Sequence, residues 1–347
     1  MHSLQPAFLS KLVFGAEQLA TLRQLGEARG RQGLFTRQMP EVLKALRKVA
    51  SVESTESSNR LEGITVSHLR LEDLVLKSAE PTDRSEQEIA GYRDALQLLH
   101  ESAARMAFST SVILQIHSML YRYLPAEGGA WKAVDNQIVE RDETGRVVRV
   151  RFQAVPAVAT PQAMQDLVTG FADALAAKHD PLVLIPLAVL DLLCIHPFTD
   201  GNGRTARLVT LQLLYRSGYE VGRYISLERH FEQVRESYYE TLEASSQGWH
   251  EGRHDPHPWL NLFWGVLLAA SREFEERVGT LGTGRGAKSA RVHAAIARRR
   301  LPFRISELER DCPGVGRDTI RQVLRQLRDE GTLRVEGRGP AARWTKT

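Results

Sequence analysis

Within twelve residues, His196-Pro-Phe-Thr-Asp-Gly-Asn-Gly-Arg-Thr-Ala-Arg207, the chain gathers a base, a carboxylate, two arginines and two glycines. Each type has its own use in phosphoryl-type chemistry. His196 titrates near neutral pH and can take a proton, and Asp200 offers hard oxygen ligands suited to Mg²⁺. Arg204 and Arg207, three residues apart, bring planar guanidinium groups that match phosphate oxygens. Gly201 and Gly203 let the backbone approach a ligand with no Cβ in the way, and free N–H groups at a helix start form an anion site. A lone histidine after an apolar helix is usually structural, and a DGNG run is often only a turn. All of these features in one short stretch point instead to transfer of a phosphate-type group.

Such a loop needs rigid supports on both sides. Upstream, the apolar run 181–194 reads as a core helix, with Asp180 as N-cap and Pro181 at the first helical position. Downstream, Leu208, Val209, Leu211, Leu213 and Leu214 resume a helical pattern. The motif is therefore a helix–loop–helix in which Pro197 ends the first helix and Asn202 caps the second. Apolar residues recur at three and four elsewhere too, as in Val42, Leu43, Leu46, Val49 and in Val112, Ile113, Ile116, Leu120. The protein is mainly α. The exception is Val134 to Pro156, where a polar turn containing Gly145 separates two β-prone runs, a hairpin signal and a small flap. Thr160-Pro161 opens a further helix.

Charge is divided unevenly over the 347 residues. Residues 285–347 hold 16 Lys+Arg against 7 Asp+Glu, a balance of +9, whereas residues 1–284 hold 30 against 35, or −5. The small-residue stretch GTLGTGRGAKS marks a linker at 281–287 between a helical body and a basic tail. Two cysteines, Cys194 in the apolar run and Cys312, exclude a disulfide framework and point to a reducing cytoplasm. The longest apolar segment is interrupted by Pro186 and Asp191, so no membrane span is expected. His250-Glu251-Gly252-Arg253-His254 matches the zinc-protease spacing, but Gly252 and the nearby Pro256 oppose the helix it needs; the segment reads as a polar loop.

The segment 196–207 fits HPFx(D/E)GNGRxxR at every defined position, and on that motif the chain resembles the Fic (filamentation induced by cAMP) family. The resemblance extends through FSTSVILQIHSML upstream, the GGAWK segment with the hairpin, and RESYYETL downstream. It implies a Fic-type helical bundle with a β-hairpin flap, and transfer of AMP from ATP to a Ser, Thr or Tyr hydroxyl of a target protein, itself included. By the same resemblance His196 is the general base, Asp200 holds Mg²⁺, and Gly201, Asn202 and Gly203 bind phosphate oxygens. Arg204 would sit on the β-phosphate side and Arg207 on the γ-phosphate. Thr205 and Ala206 complete the nucleotide-binding turn, and Leu193, Cys194, Ile195, His196 and Tyr239 border the nucleotide. Gly203-Arg204 separates the chain from the kinase branch of the superfamily, and strand addition on Val147–Val150 of the flap would hold the target.

Ser58-Asn-Arg-Leu-Glu62-Gly63 fits the inhibitory pattern (S/T)xxxE(G/N) of the same family. N-terminal to the catalytic motif, it implies a class II arrangement in which Glu62 ion-pairs with Arg207 and denies it to ATP. The resemblance leaves open an enzyme acting in AMP removal or on another nucleotide, and family members often form homodimers. The expected organisation is an inhibitory helical region at 1–105, a Fic core at 106–250, a packing helix at 251–280 and a winged-helix-like tail at 288–347. In that tail, helices at 305–311 and 317–330 precede a strand at 333–336, a GRGP turn and a final strand. Arg317, Arg321, Arg325 and Arg328 fall on one arc of the second helix, opposite Ile320, Val323 and Leu327, as in a recognition helix on DNA. A DNA-binding regulator whose body senses nucleotide is therefore the competing function.

Overall fold

Every residue from Leu182 to Leu192 is buried, so the helix that leads into the motif is the axis around which the others pack. The computed structural model describes residues 3–38, 40–141, 144, 146–279, 287–299, 302–312, 315–337, 339 and 342–346. In chain order the helices are α1 Pro6–Leu9, α2 Ala16–Gln38, α3 Pro40–Leu61, α4 His68–Leu76, α5 Arg84–Ser102, α6 Thr110–Leu120, α7 Thr160–Ala176, α8 Pro181–Ile195, α9 Asn202–Arg216, α10 Leu227–Gln233, α11 Arg235–Ser246, α12 His257–Gly279, α13 Ala287–Arg298, α14 Ile305–Asp311 and α15 Arg317–Asp329. The strands are β1 Gln137–Arg141, β2 Val147–Gln153, β3 Leu333–Glu336 and β4 Arg343–Lys346. The fold is mainly helical, as expected. Of the linker expected at 281–287 only Ala287 is described, and it opens α13; the Gly145 turn lies outside the described residues.

Helix α8 begins as the sequence indicates, with the Asp180 carboxylate accepting from the Leu182 N–H at 2.8 Å and Pro181 in the first turn. Pro186 sits inside it and has no N–H for the Leu182 carbonyl. The Trp264 indole donates to that carbonyl instead, at 2.8 Å, and the Trp259 indole donates to the Pro186 carbonyl at the same distance. Both tryptophans lie on α12, so the proline's lost hydrogen bond is replaced by a tertiary one. One large core joins α8 to α5, α6, α7, α9, α11 and α12.

The hairpin is antiparallel, with Val139 opposite Val150 and Glu140 opposite Arg149, and its register slips between Ile138 and Val139 and between Glu140 and Arg141. Arg149 bridges Glu140 on the flap and Glu243 on α11, tying the flap to the body. Val147, Val148 and Val150 are exposed. The C-terminal elements have a separate core in which Phe303, Leu308, Ile320, Leu324 and Trp344 pack together, and β3 pairs antiparallel with β4. Helix α15 ends at Asp329 and buries Leu324 as well as Ile320, Val323 and Leu327. Three of its four arginines are engaged by carboxylates: Arg317 by Glu309, Arg321 by Asp318 and Arg328 by Asp329. His250 to His254 form turns rather than a helix, with His254 bonded to Ser3 and His250 stacked on Phe152, which removes the zinc-site geometry. Among the described residues no helix is long and apolar enough to cross a membrane.

Candidate active site

Helix α8 stops at His196, which adopts the left-handed conformation with φ 51°. A residue before proline is pushed out of the helical region, so Pro197 acts through His196 rather than by breaking the helix itself. A non-glycine residue there carries strain, of order 1–3 kcal/mol, which the surroundings must over-determine. They do so through four consecutive carbonyls. Lys132 Nζ donates to the Ile195 carbonyl at 3.1 Å, Asn136 Nδ2 to that of His196 at 3.3 Å, Lys132 N–H to that of Pro197 at 2.9 Å, and Asn136 and Asn202 to that of Phe198. Asn202 was expected to cap α9. Its side chain instead accepts from the Phe198 N–H and donates to the Phe198 carbonyl, closing the loop on itself, and Gly201 holds the N-cap position. Gly201 has φ 78° with His117 and Tyr121 packed close, so both its backbone angle and its space favour glycine.

The His196 ring has its Nδ1 3.2 Å from the Leu193 carbonyl. A carbonyl can only accept, so Nδ1 carries the proton and Nε2 is left as an acceptor. Burial, reinforced by the positive charge of Lys132, lowers its pKa to about 4. His196 is therefore neutral at pH 7, the form in which a base can act. Asp200 is the exposed member of the loop: Tyr121 donates to its Oδ2 at 3.1 Å and Gly201 N–H to its Oδ1 at 2.7 Å. Below it, His117 stacks on Phe198 with ring centroids 3.7 Å apart, and its Nδ1 accepts from the Gly129 N–H. Its Nε2 must then donate to the Asp200 carbonyl, 3.0 Å away.

The two arginines part company. Arg207 is buried, and its Nη2 reaches Glu62 Oε1 at 2.7 Å and the Ser58 carbonyl at 2.9 Å, while its Nε donates to Ser58 Oγ at 2.8 Å. Burial works against its charge, but the Glu62 carboxylate, together with Tyr238 and Tyr92, holds the guanidinium above its ordinary range. Ser58 and Glu62 come from the end of α3 and the residue just past it, where Gly63 turns the chain with φ 79°. Arg204, expected on the same phosphate-facing side, is instead buried against Glu88 of α5 at 2.7 Å.

One cavity of about 240 Å³ brings Glu62, Leu193, Cys194, His196, Gly203, Arg207 and Tyr239 together. A side chain at position 203 would run into the Glu62 carboxylate. Tyr239 also donates to the Leu61 carbonyl at 3.1 Å, tying α11 to the same end of α3. Asp200, Gly201, Asn202, Arg204, Thr205, Ala206 and Ile195 do not line this cavity; Ile195, Thr205 and Ala206 face into the core. Sequence reasoning missed Tyr238, Leu190 and Leu242 in the wall and Ile138, Arg151 and Phe152 from the flap. It also missed Glu88, His117 and Asn136 as supports. Of these, only His117 gave a signal, as a polar residue on the buried side of an apolar helix.

The Fic/DOC family model matches residues 107–214, a span that runs from the start of α6 almost to the end of α9 and holds the whole loop. The chain carries a Fic domain. Two curated relatives extend the likeness. A protein adenylyltransferase Fic from Nematostella vectensis is 29% identical over 219 residues, 59% of this chain and 46% of that protein. Protein adenylyltransferase fic-1 from Caenorhabditis elegans is 31% identical over 140 residues, 39% of this chain and 25% of that one. The chain thus spans less than half the length of these relatives. Among solved structures, a Fic family protein from Desulfovibrio desulfuricans shares the fold with a TM-score of 0.63 at 21% identity over 97% of both chains. Fic-1 from C. elegans gives 0.61 at 22% identity, over 77% of this chain and 74% of that one. The Fic domain supplies α6, the hairpin and the α8–loop–α9 unit, whereas Glu62 and Tyr239 line the cavity, and Ser58 holds Arg207, from outside the matched span.

Proposed function

We propose that the chain is a protein adenylyltransferase that rests in a restrained state. The observation that carries this reading is a neutral His196, with Nε2 as acceptor, lining the same cavity as an Arg207 already held by Glu62 and Ser58. In the transfer, a target hydroxyl oxygen forms the bond to the α-phosphorus of ATP, His196 Nε2 takes the hydroxyl proton, and pyrophosphate leaves. Arg207, once released, pairs with the terminal phosphate, and backbone N–H groups at the start of α9 face the phosphate chain. Asp200 fits a role in holding Mg²⁺: its carboxylate is exposed, oriented by Tyr121 and Gly201, and Mg²⁺ is commonly held by one or two carboxylates together with substrate phosphates. When bound, the ion would neutralise phosphate charge.

Glu62 is the restraint. Its carboxylate takes the guanidinium that the terminal phosphate needs, so ATP cannot settle productively until the pair opens. The exposed edge of β2 at Val147–Val150 suits an extended target segment added as a strand. A second reading, removal of AMP with Glu62 orienting a water, is favoured by Glu62 and His196 sharing one cavity. The DNA-regulator reading rests on α15 alone, where Arg317, Arg321 and Arg328 are exposed and pair with Glu309, Asp318 and Asp329 at the surface. The test is incubation of the Glu62→Gly protein with α-labelled ATP, Mg²⁺ and cell lysate, followed by mass spectrometry of labelled bands. Labelled Ser, Thr or Tyr residues are expected, and no labelling above the unsubstituted chain would contradict the reading.

A further inference from the structure

A second cavity, of about 530 Å³, opens between α3, the end of α4 and α5, and shares no lining residue with the cavity at His196. Its size falls in the range of roughly 300–1,000 Å³ usual for small-molecule sites. Lys44, Arg47, Lys48 and Arg93 line it against a single carboxylate, Glu101. Arg93 is engaged by Asp94 and the Leu74 carbonyl, and Arg47 lies over the Tyr224 ring. Lys44 and Lys48, one turn apart and exposed, make no ion pair among the described residues. Like charges at this spacing repel, so the helix gains nothing from the cluster by itself.

Two buried polar atoms in the same lining have no partner, Thr55 Oγ1 and His100 Nε2. Thr55 is fully buried and His100 is 8% exposed. Such orphans are rare, and each is destabilising unless water or a ligand meets it. Burial, with Arg223 and Arg47 nearby, lowers the His100 pKa to about 3, so its ring is neutral and available as a hydrogen-bonding group. A flat nucleic-acid surface would reach the lysines but not these two atoms.

We infer that this cavity binds a phosphate-bearing small molecule, with Lys44, Arg47 and Lys48 on the phosphate and Thr55 and His100 completing its polar contacts. On α3 the residues Lys44, Lys48, Ser51, Thr55 and Ser58 follow one stripe at alternating spacings of four and three. The ligand thus rests on the same helix face that delivers Ser58 to Arg207, although its binding does not depend on the transfer reaction.

The test is calorimetric titration of the full chain carrying Arg207→Ala, which removes the guanidinium at the other cavity, with inorganic pyrophosphate and with ADP. Saturable binding is expected, weakened at least about tenfold by Lys44→Glu with Lys48→Glu. Thr55→Val should weaken it as well while leaving the melting temperature equal or higher, since the substitution removes an orphan hydroxyl. Tighter binding of ADP identifies an organic phosphate as the ligand, and tighter binding of pyrophosphate an inorganic one. Binding unchanged by the lysine substitutions, no binding of either probe, or binding of duplex DNA alone would overturn the assignment.

Discussion

Replacing Glu62 by glutamine keeps the shape of the Arg207 clamp and removes its charge. The bond is 2.7 Å long, with Arg207 4% and Glu62 33% exposed, so it is a charge-assisted contact open to solvent on one side only. Hydrogen bonds to charged groups contribute about 1.5–3 kcal/mol, roughly twice a neutral one. Glutamine still offers an acceptor, so about half of that restraint, on the order of 1–1.5 kcal/mol, is lost. At about 1.4 kcal/mol per tenfold, AMP transfer should rise about five- to tenfold. Glu62→Gly removes the whole contact and should raise it by about 10- to 100-fold. Ser58 keeps its hold on Arg207 through Oγ and its carbonyl, so both variants should fold. The assay is the initial rate of incorporation from α-labelled ATP for the three proteins side by side. Equal rates, or glutamine exceeding glycine, would refute the account of the clamp.

Lys132→Met should lower the transfer rate by about tenfold or more, because the Ile195 carbonyl and Asn136 lose a donor and the strained His196 loosens. The pH profile separates this from simple unfolding: removing the nearby cation should shift the acid limb, set by His196 at about 4, to higher pH. In the unsubstituted chain activity should fall as pH drops through that value and show no loss from His196 between pH 6 and 8. Asp191, buried in α8 and accepting from Ser3 and the Trp249 indole, has its pKa raised from 3.8 to about 6 by burial. A raised folded-state pKa favours folding below pH 4 and loses that contribution as pH rises through 6, worth roughly 3 kcal/mol. Asp191→Asn should therefore be as stable as the parent near pH 4 and more stable near pH 7 in denaturant unfolding; an equal difference at both would contradict this.

The contiguous part of the site was legible because its chemistry lies in twelve consecutive residues whose types are seldom found together by chance. Glu62 was legible only through a pattern, since nothing local to it shows that Arg207, 145 residues away, will be its partner. Glu88 could not be read at all: on α5 it is an ordinary acidic residue until the fold sets Arg204 against it. That pairing also explains why two arginines three residues apart have different carboxylate partners. Asn202 was misread because capping is the commonest local use of asparagine at a helix start, whereas here Phe198 outcompetes the helix for its side chain. The hairpin and the limits of α8 followed from local rules, as Asp180, Pro181 and the β-branched runs act within a few residues of themselves.

His196 as base and Glu62 as restraint are tested together most directly by AMP transfer from Glu62→Gly compared with Glu62→Gly carrying His196→Ala. Strong labelling from α-labelled ATP is expected in the first protein. In the second, labelling should be lowered by at least about a hundredfold with ATP binding retained. Comparable labelling in both would show that His196 is not the base.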